Sequence, residues 1–159
     1  MNGDLKMNIA YFLTTKSEVA YLYNDYSLRQ GLEKMKFHKY TAIPVLTRDN
    51  RYIGTVSEGD FLWYIMNNHK EEIDKEGDIF MQRFEDVLIK DVLNIDKNPP
   101  VPITSTMEDL ITSAMVQNFI PVIDDRKYFI GIITRKDIIK YFMQQLKEQK
   151  KETVVGRSK

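Results

Sequence analysis

Two stretches of the chain combine short apolar runs with strong turns, as β-hairpins do. In the first, AIPVLT (42–47) and YIGTVS (52–57) are rich in β-branched and aromatic residues and are joined by RDNR. In the second, FIPVI (119–123) and YFIGII (128–133) are joined by DDRK. Clusters of Asp, Asn and charged residues between apolar runs are typical of turns. The sequence therefore predicts two hairpins of similar length.

Each predicted hairpin lies between two predicted helices. The helix before it begins with a capping pattern, which is Ser27-x-x-Gln30 in one case and the acidic variant Thr106-x-x-Asp109 in the other. Apolar residues then follow at helical spacing. The helices that follow the two hairpins are predicted at EGDFLWYIMNN (58–68) and RKDIIKYFMQQLKEQ (135–149).

A short apolar strand precedes each opening helix, VAYLY (19–23) in one half and VPI (101–103) in the other. The order β-α-β-β-α therefore occurs twice, which indicates an internal repeat. Most matched positions differ by 77 residues: Ile43-Pro44-Val45 and Ile120-Pro121-Val122, Gly54 and Gly131, Ser57 and Thr134, Asp60 and Asp137.

These matches divide the chain into two copies of one unit, at 14–68 and 88–149. We expect an acidic surface connector with a short helix at 69–87 and a flexible tail at 150–159. A unit of roughly 55–60 residues buries too little surface to be stable alone. We therefore predict an α+β (α/β) fold in which the two units pack sheet to sheet with pseudo-two-fold symmetry.

The doubled Pro-bearing strand and the doubled Gly-h-h-[ST]-x-x-Asp sequence (h, apolar) resemble a tandem CBS domain pair, or Bateman module. The resemblance covers residues 14–149 and implies a stand-alone regulatory module. Members of this family bind adenosine ligands such as AMP, ADP or ATP between the repeats and regulate another protein. The chain is also similar to Gram-positive CBS-pair receptors for cyclic di-AMP, in which YTAIPV and TR recur. A dimerisation scaffold that binds no ligand is the alternative.

The first candidate site lies where a strand ends and the last helix begins. Free backbone N–H groups at such a point attract anions. Thr134 and Arg135 could bind phosphate, and the Asp137 carboxylate could accept hydrogen bonds from a ribose diol. The family implies that the opposite repeat supplies the adenine pocket from Thr15, Ala20, Tyr40, Thr41, Ala42, Ile43 and Pro44, and Lys16 could add a further cation for a phosphate. Thr-x-x-Asp is also an ordinary helix cap that needs no ligand, and that alternative stays open.

The second candidate site pairs Ser57 and Asp60 with Phe119, Ile120 and Pro121. It departs from the first, because Phe119 stands where the first copy has Ala42 and can fill the purine space. Glu58 stands where the second copy has Arg135, and its charge would repel a phosphate. We expect this site to be weak or vestigial.

Composition excludes several classes. Lys+Arg and Asp+Glu both total 23, which argues against nucleic-acid binding. With no cysteine and two histidines, no metal site or thiol nucleophile is predicted, and the chain suits a reducing cytoplasm. No apolar run is long enough for a membrane span or a signal peptide. No nucleophile–base pair or Walker loop is found, so we expect no enzyme activity and no obligatory cofactor.

The helix at 58–68 is apolar on nearly all faces in its segment DFLWYIM (60–66). A helix of this kind is usually buried. The CBS resemblance implies that it packs partly on its own sheet and partly on a second copy, together with DIIKYFM (137–143). We therefore expect a homodimer that signals to an unidentified regulated protein.

Overall fold

The computed structural model describes residues 7–68, 84 and 86–157. The strands are β1 (Thr14–Thr15), β2 (Leu22–Tyr23), β3 (Ala42–Leu46), β4 (Tyr52–Ser57), β5 (Val101–Pro102), β6 (Phe119–Ile123) and β7 (Phe129–Thr134). The α-helices are α1 (Leu28–His38), α2 (Glu58–Asn68), α3 (Ile89–Val92), α4 (Met107–Ala114) and α5 (Arg135–Arg157). From β2 and from β5 onward the order is β-α-β-β-α, so the predicted repeat is confirmed.

The two predicted helix starts are confirmed as caps. Ser27 Oγ accepts a hydrogen bond from Gln30 N at 3.1 Å, and Gln30 Oε1 accepts one from Ser27 N at 2.8 Å. At α4, Thr106 Oγ1 accepts from Asp109 N at 3.1 Å. Each cap satisfies a backbone N–H that has no partner within its own helix.

The two sheets have the same core of three strands. In the first sheet β3 lies between β2, which is parallel to it, and β4, which is antiparallel. In the second sheet β6 lies in the same way between β5 and β7. The registers match as well, because Ala42 is paired with Ser57 and Phe119 with Thr134. Residues that are 77 positions apart in the sequence therefore occupy equivalent places in the two sheets, which are related by a pseudo-two-fold.

The short strand β1 joins the sheet of the opposite repeat. Thr14 is paired with Ile132, and Thr15 with Gly131, on the outer edge of β7. The approach is so close that a Cβ at position 131 would lie 2.1 Å from the Thr14 carbonyl oxygen. In the other half, Asn94 makes an isolated bridge to Thr55, next to Gly54. The two glycines therefore let a preceding chain segment lie against the sheet.

Segments ahead of β2 and β5, which begin the two β-α-β-β-α units, also complete the core of the opposite sheet. Ile9 and Phe12 are buried with the residues of the second sheet. Ile89 and Val92 are buried with the residues of the first sheet. Each hydrophobic core therefore contains side chains that lie far away in sequence.

The two sheets meet at the hairpin turns. Arg51 and Tyr128, which are equivalent positions of the two repeats, form an antiparallel bridge. Beside it Phe129 N donates to Asn50 O at 2.9 Å, and Asn50 Nδ2 donates to Phe129 O at 3.2 Å. Val19 and Leu46 pack on Phe129 between the sheets, which confirms the predicted pairing of the two units.

Some elements differ from their predictions. The strand predicted at 19–23 is shorter, because β2 comprises only Leu22–Tyr23. Val19 and Ala20 are buried in the segment just before it and pair with no strand that the structure describes. α5 continues past residue 149 to Arg157. Lys150, Lys151 and Glu152 favour a helix, and the helix extends through the weaker helix formers at 153–155 as well. Most of the connector at 69–87 lies outside the described residues, but Phe84 is fully buried in the first core.

Within the described chain α2 is covered along one side only, by its own sheet and α3, so the expected contact of its other side with a second copy stays a prediction. Phe61 is buried, whereas Leu62, Trp63 and Met66 are exposed. The helix contacts its own sheet and α3 along one side, which leaves the other side uncovered. Among the described residues, no helix has the length and apolar character that crossing a membrane requires.

Candidate functional site

Asp137 lies in the first turn of α5, directly after the end of β7. Its backbone N donates to Thr134 Oγ1 at 3.1 Å, so the predicted cap is present. The Asp137 side chain is half-buried, and its carboxylate forms no hydrogen bond or ion pair with any residue that the structure describes. It lines a cleft of about 340 Å³ with Tyr11, Thr14 and Lys140. The acceptor oxygens of Asp137 are thus available to a donor.

Thr15 and Lys16 lie beside the strand that leads to Asp137. Thr15 is paired with Gly131 in β7, and its Oγ1 lies 3.0 Å from Ser17 Oγ. Lys16 is half-buried, with its Nζ 5.1 Å from the centre of the Tyr21 ring. The structure therefore brings the start of the first repeat to β7, the strand that ends at Thr134 just before Asp137.

The residues predicted for the adenine pocket lie at the start of β3. Tyr40, Thr41 and Ala42 line a larger cleft of about 570 Å³, which also contains Ser57 and Phe119 and is called the Ser57 cleft below. The other predicted members are packed behind it, with Ala20, Ile43 and Pro44 buried. Small Ala42 leaves the entrance of β3 open to this cleft.

The start of α5 near Asp137 contacts a residue that lines the Ser57 cleft. Asn118 lines the Ser57 cleft, and its carbonyl oxygen accepts a hydrogen bond from Arg135 N at 2.9 Å. In the described part of the chain no hydrogen bond joins Tyr40, Thr41 or Ala42 directly to Thr134 or Asp137. The structure therefore places the two halves of the predicted first site in different clefts, which have no lining residue in common.

Arg135 has a position that the sequence did not indicate. Its Nε donates to the carbonyl oxygen of Ala114 at 2.6 Å. Ala114 ends α4, where unpaired carbonyl groups carry partial negative charge, so a cation is stabilised there. The guanidinium group thus caps α4, and its contact with a phosphate stays a prediction.

The predicted second site is held together by Lys97, which sequence reasoning missed. Lys97 Nζ donates to Ser57 Oγ at 2.8 Å and lies 3.1 and 3.2 Å from the two carboxylate oxygens of Asp60. The pairing of Asn94 with Thr55 matches that of Thr14 with Ile132. This match places Lys97 where the first repeat has Ser17. Aligning the segments before the two repeats would have revealed the lysine.

Phe119 does not fill the Ser57 cleft, contrary to expectation. It is half-buried and lies at the wall, while the cleft keeps a volume of about 570 Å³. Its carbonyl oxygen faces the amide nitrogens of Asn98 and Gln117, each at 3.4 Å. Ile120 and Pro121 are buried behind it in β6, and Glu58 lines the cleft as predicted.

The model of the CBS domain matches the chain twice, at residues 12–67 and 86–144. The chain belongs to the CBS domain family. Its two β-α-β-β-α units are CBS repeats, and the glycine and aspartate of each Gly-h-h-[ST]-x-x-Asp sequence occupy equivalent places in them. No group of three or more metal-ligating side chains that could hold an ion occurs among the residues that the structure describes.

Solved structures of other CBS proteins have the same fold. CbpB in complex with c-di-AMP aligns with a TM-score of 0.82 and 23% identity over 95% of this chain and 94% of that one. The CbpB protein of Listeria monocytogenes in complex with c-di-AMP aligns with a TM-score of 0.74 and 22% identity. The alignment covers 88% of this chain and 98% of that one. CBSX2 in complex with AMP aligns with a TM-score of 0.66 and 20% identity, over 86% of this chain and 96% of that one. At these identities the likeness establishes the fold of the CBS pair.

Proposed function

We propose that this chain is a regulatory module that binds an adenine nucleotide between its CBS repeats, with the ribose on Asp137. The observation that carries the proposal is the half-buried Asp137 carboxylate, which has no partner among the described residues. A carboxylate that loses water on burial needs donors in compensation. Ribose hydroxyl groups are such donors, and their bonds to a carboxylate are charge-assisted.

The remaining parts of the ligand have matching surroundings. The backbone N–H groups at the start of α5 suit a phosphate. Thr41 and Ala42 line the separate Ser57 cleft, so the purine of a nucleotide on Asp137 lies within the cleft of Asp137 itself, which exposed Tyr11 also lines. AMP, ADP and ATP carry both ribose hydroxyl groups, each of which can donate a hydrogen bond to Asp137. Adenine mononucleotides are therefore the ligand class that we propose first.

Cyclic di-AMP is the second candidate, supported by the fold shared with the two CbpB complexes. In this ligand the 3′ oxygen is esterified, so that only the 2′ hydroxyl of each ribose can donate to Asp137. Binding of either ligand regulates another protein only if the ligand prefers one arrangement of the repeats over another. We infer such an arrangement-dependent signal and no catalytic step.

The test is the substitution Asp137→Asn. Removal of a charge-assisted hydrogen bond costs about 1.5–3 kcal/mol, so we expect affinity to fall by about 10- to 150-fold. Isothermal titration calorimetry with AMP, ATP and cyclic di-AMP measures the change and also ranks the ligands. Asp109→Asn is a matched control, because Asp109 has the same capped position at the start of α4 but is exposed.

Binding of all three nucleotides with equal affinity by wild type and Asp137→Asn would place the site elsewhere. Absence of heat with every nucleotide, for a protein that is still folded, would favour the dimerisation scaffold. A loss of affinity in Asp109→Asn equal to that in Asp137→Asn would show that helix stability, and not ligand contact, is being measured.

We also propose that the module is a homodimer. Leu62 and Met66 of α2 are exposed, and so are their equivalents on α5, Ile139 and Met143. In an isologous interface the same patch of two copies meets, and these exposed apolar positions give each copy such a patch. A second copy of this chain is therefore the occupant that fits these two helices.

A further inference from the structure

Lys97 makes contacts at the second site like those that a ligand would make. Its ammonium group bonds to both Ser57 and Asp60, the counterparts of Thr134 and Asp137. The Asp60 side chain is 15% exposed and that of Lys97 is 35% exposed, so the ion pair is partly shielded from water. Such a pair is stronger than one on an open surface.

We propose that Lys97 is an internal occupant of the second site and restricts the module to one nucleotide per chain. The proposal rests on the proposed function, because it presumes that the Asp137 site binds a nucleotide. On this proposal the two clefts bind nucleotide differently although their helix starts are equivalent. At the first site Ser17 stands in the place of Lys97, and this short neutral side chain bonds to Thr15.

The segment that carries Lys97 is fixed in position. The Tyr52 hydroxyl donates to the carbonyl oxygen of Asn98 at 2.7 Å, and Lys97 N donates to Asn94 O at 3.4 Å. The lysine therefore meets Asp60 without the loss of freedom that a mobile loop would incur. An intramolecular cation is present at any nucleotide concentration, so that a ribose must displace it before bonding to Asp60.

The cleft beside Lys97 is large enough for a ligand. Its volume of about 570 Å³ lies within the range of small-molecule sites, about 300–1,000 Å³. Neither Phe119 nor the sheet therefore closes the second site by bulk. Asp60 also accepts hydrogen bonds from N and Oγ of Ser57, at 2.8 and 2.9 Å, but these belong to its own helix cap. Lys97 adds a cation from another segment, for which the first site has the neutral Ser17.

The experiment counts nucleotides per chain by calorimetry with AMP, for wild type and Lys97→Ala. We expect one for wild type and two for the variant, with the affinity of the first site unchanged. Lys97→Gln is the second variant, because it keeps the length and a hydrogen-bond donor but removes the charge. Lys147→Ala, at an exposed position of α5, is the control and should bind one nucleotide per chain, as wild type does.

A count of one in both folded Lys97 variants would overturn the proposal and leave the proposed function intact. A count of two in wild type would also overturn it. Weaker binding at the first site in Lys97→Ala would show that Lys97 contacts the nucleotide instead of excluding it. If neither wild type nor the variants bind AMP, ATP or cyclic di-AMP, the proposed function itself fails.

Discussion

Three aspartates occupy the same position in this chain, the third residue of a helix that a Ser or Thr caps. Asp109 is exposed, Asp60 is held by Lys97, and Asp137 faces a cleft without a described partner. In all three the backbone N of the aspartate donates to the capping hydroxyl. The capping pattern therefore fixes the start of a helix, and the surrounding chain decides whether the carboxylate remains available for a ligand.

A single buried hydroxyl predicts how stability depends on pH. Burial raises the pKa of Tyr52 above its ordinary value of about 10, although a hydrogen bond with Thr55 opposes the shift. The unfolded chain loses this proton first as the pH rises. The contribution to stability is therefore complete below about pH 10 and then falls, by about 1.4 kcal/mol per pH unit for one group.

Urea unfolding at pH 8 and pH 11 measures this effect. We expect the free energy of unfolding to fall less between the two pH values in Tyr52→Phe than in wild type. At pH 8 the variant should be less stable by about 0.5–1.5 kcal/mol, because it lacks the bond to the Asn98 carbonyl oxygen. An equal fall in both proteins would contradict a raised pKa for Tyr52.

At the scale of elements, the contact between β1 and β7 depends on Gly131. A Cβ at this position would lie 2.1 Å from the carbonyl oxygen of Thr14, so Gly131→Ala must push β1 away from the sheet. We expect a loss of about 1–3 kcal/mol in the free energy of unfolding, as overpacking causes elsewhere. Urea unfolding of wild type and Gly131→Ala, followed by the same spectroscopic signal at the same pH, measures this loss.

Gly59→Ala is the matched control, because the nearest atom to its added Cβ is Ser57 Oγ at 3.7 Å. In helix α2 the alanine should be neutral or stabilising by up to about 1 kcal/mol. Equal unfolding free energies for the two alanine variants would show that β1 is not held tightly against β7.

At the scale of the whole molecule, the uncovered faces of α2 and α5 predict a dimer. Leu62→Glu combined with Ile139→Glu places charges at equivalent positions of the two helices, where burial against a second copy would be costly. We expect sedimentation equilibrium to change from twice the chain mass of 18.8 kDa to the single chain mass.

Phe37→Glu, at an exposed position of α1, should leave the dimer intact. A wild-type protein that sediments as a single chain would refute the dimer. If the double variant remains dimeric, the interface must lie on another surface.

Much of the architecture could be predicted from the sequence because it depends on neighbours in the chain. The hairpins, the caps at Ser27 and Thr106, and the start of α2 follow from local patterns. The attachment of β1 to β7 and the ion pair between Lys97 and Asp60 could not, because each joins distant segments without a periodic signal. The apolar pattern of α2 predicts a helix that is covered on most sides but does not reveal by what, so the contact with a second copy stays a prediction.

The exchange of core residues between the repeats has a consequence for synthesis on the ribosome. Ile9 and Phe12 emerge early, but they are buried against residues such as Ile120 and Ile133. The nascent chain must therefore carry these side chains in contact with solvent or chaperones until most of the second repeat has left the exit tunnel. The first repeat, in turn, cannot close its core until Ile89 and Val92 appear. Cutting the gene between the repeats would give two fragments that each lack interior side chains supplied by the other.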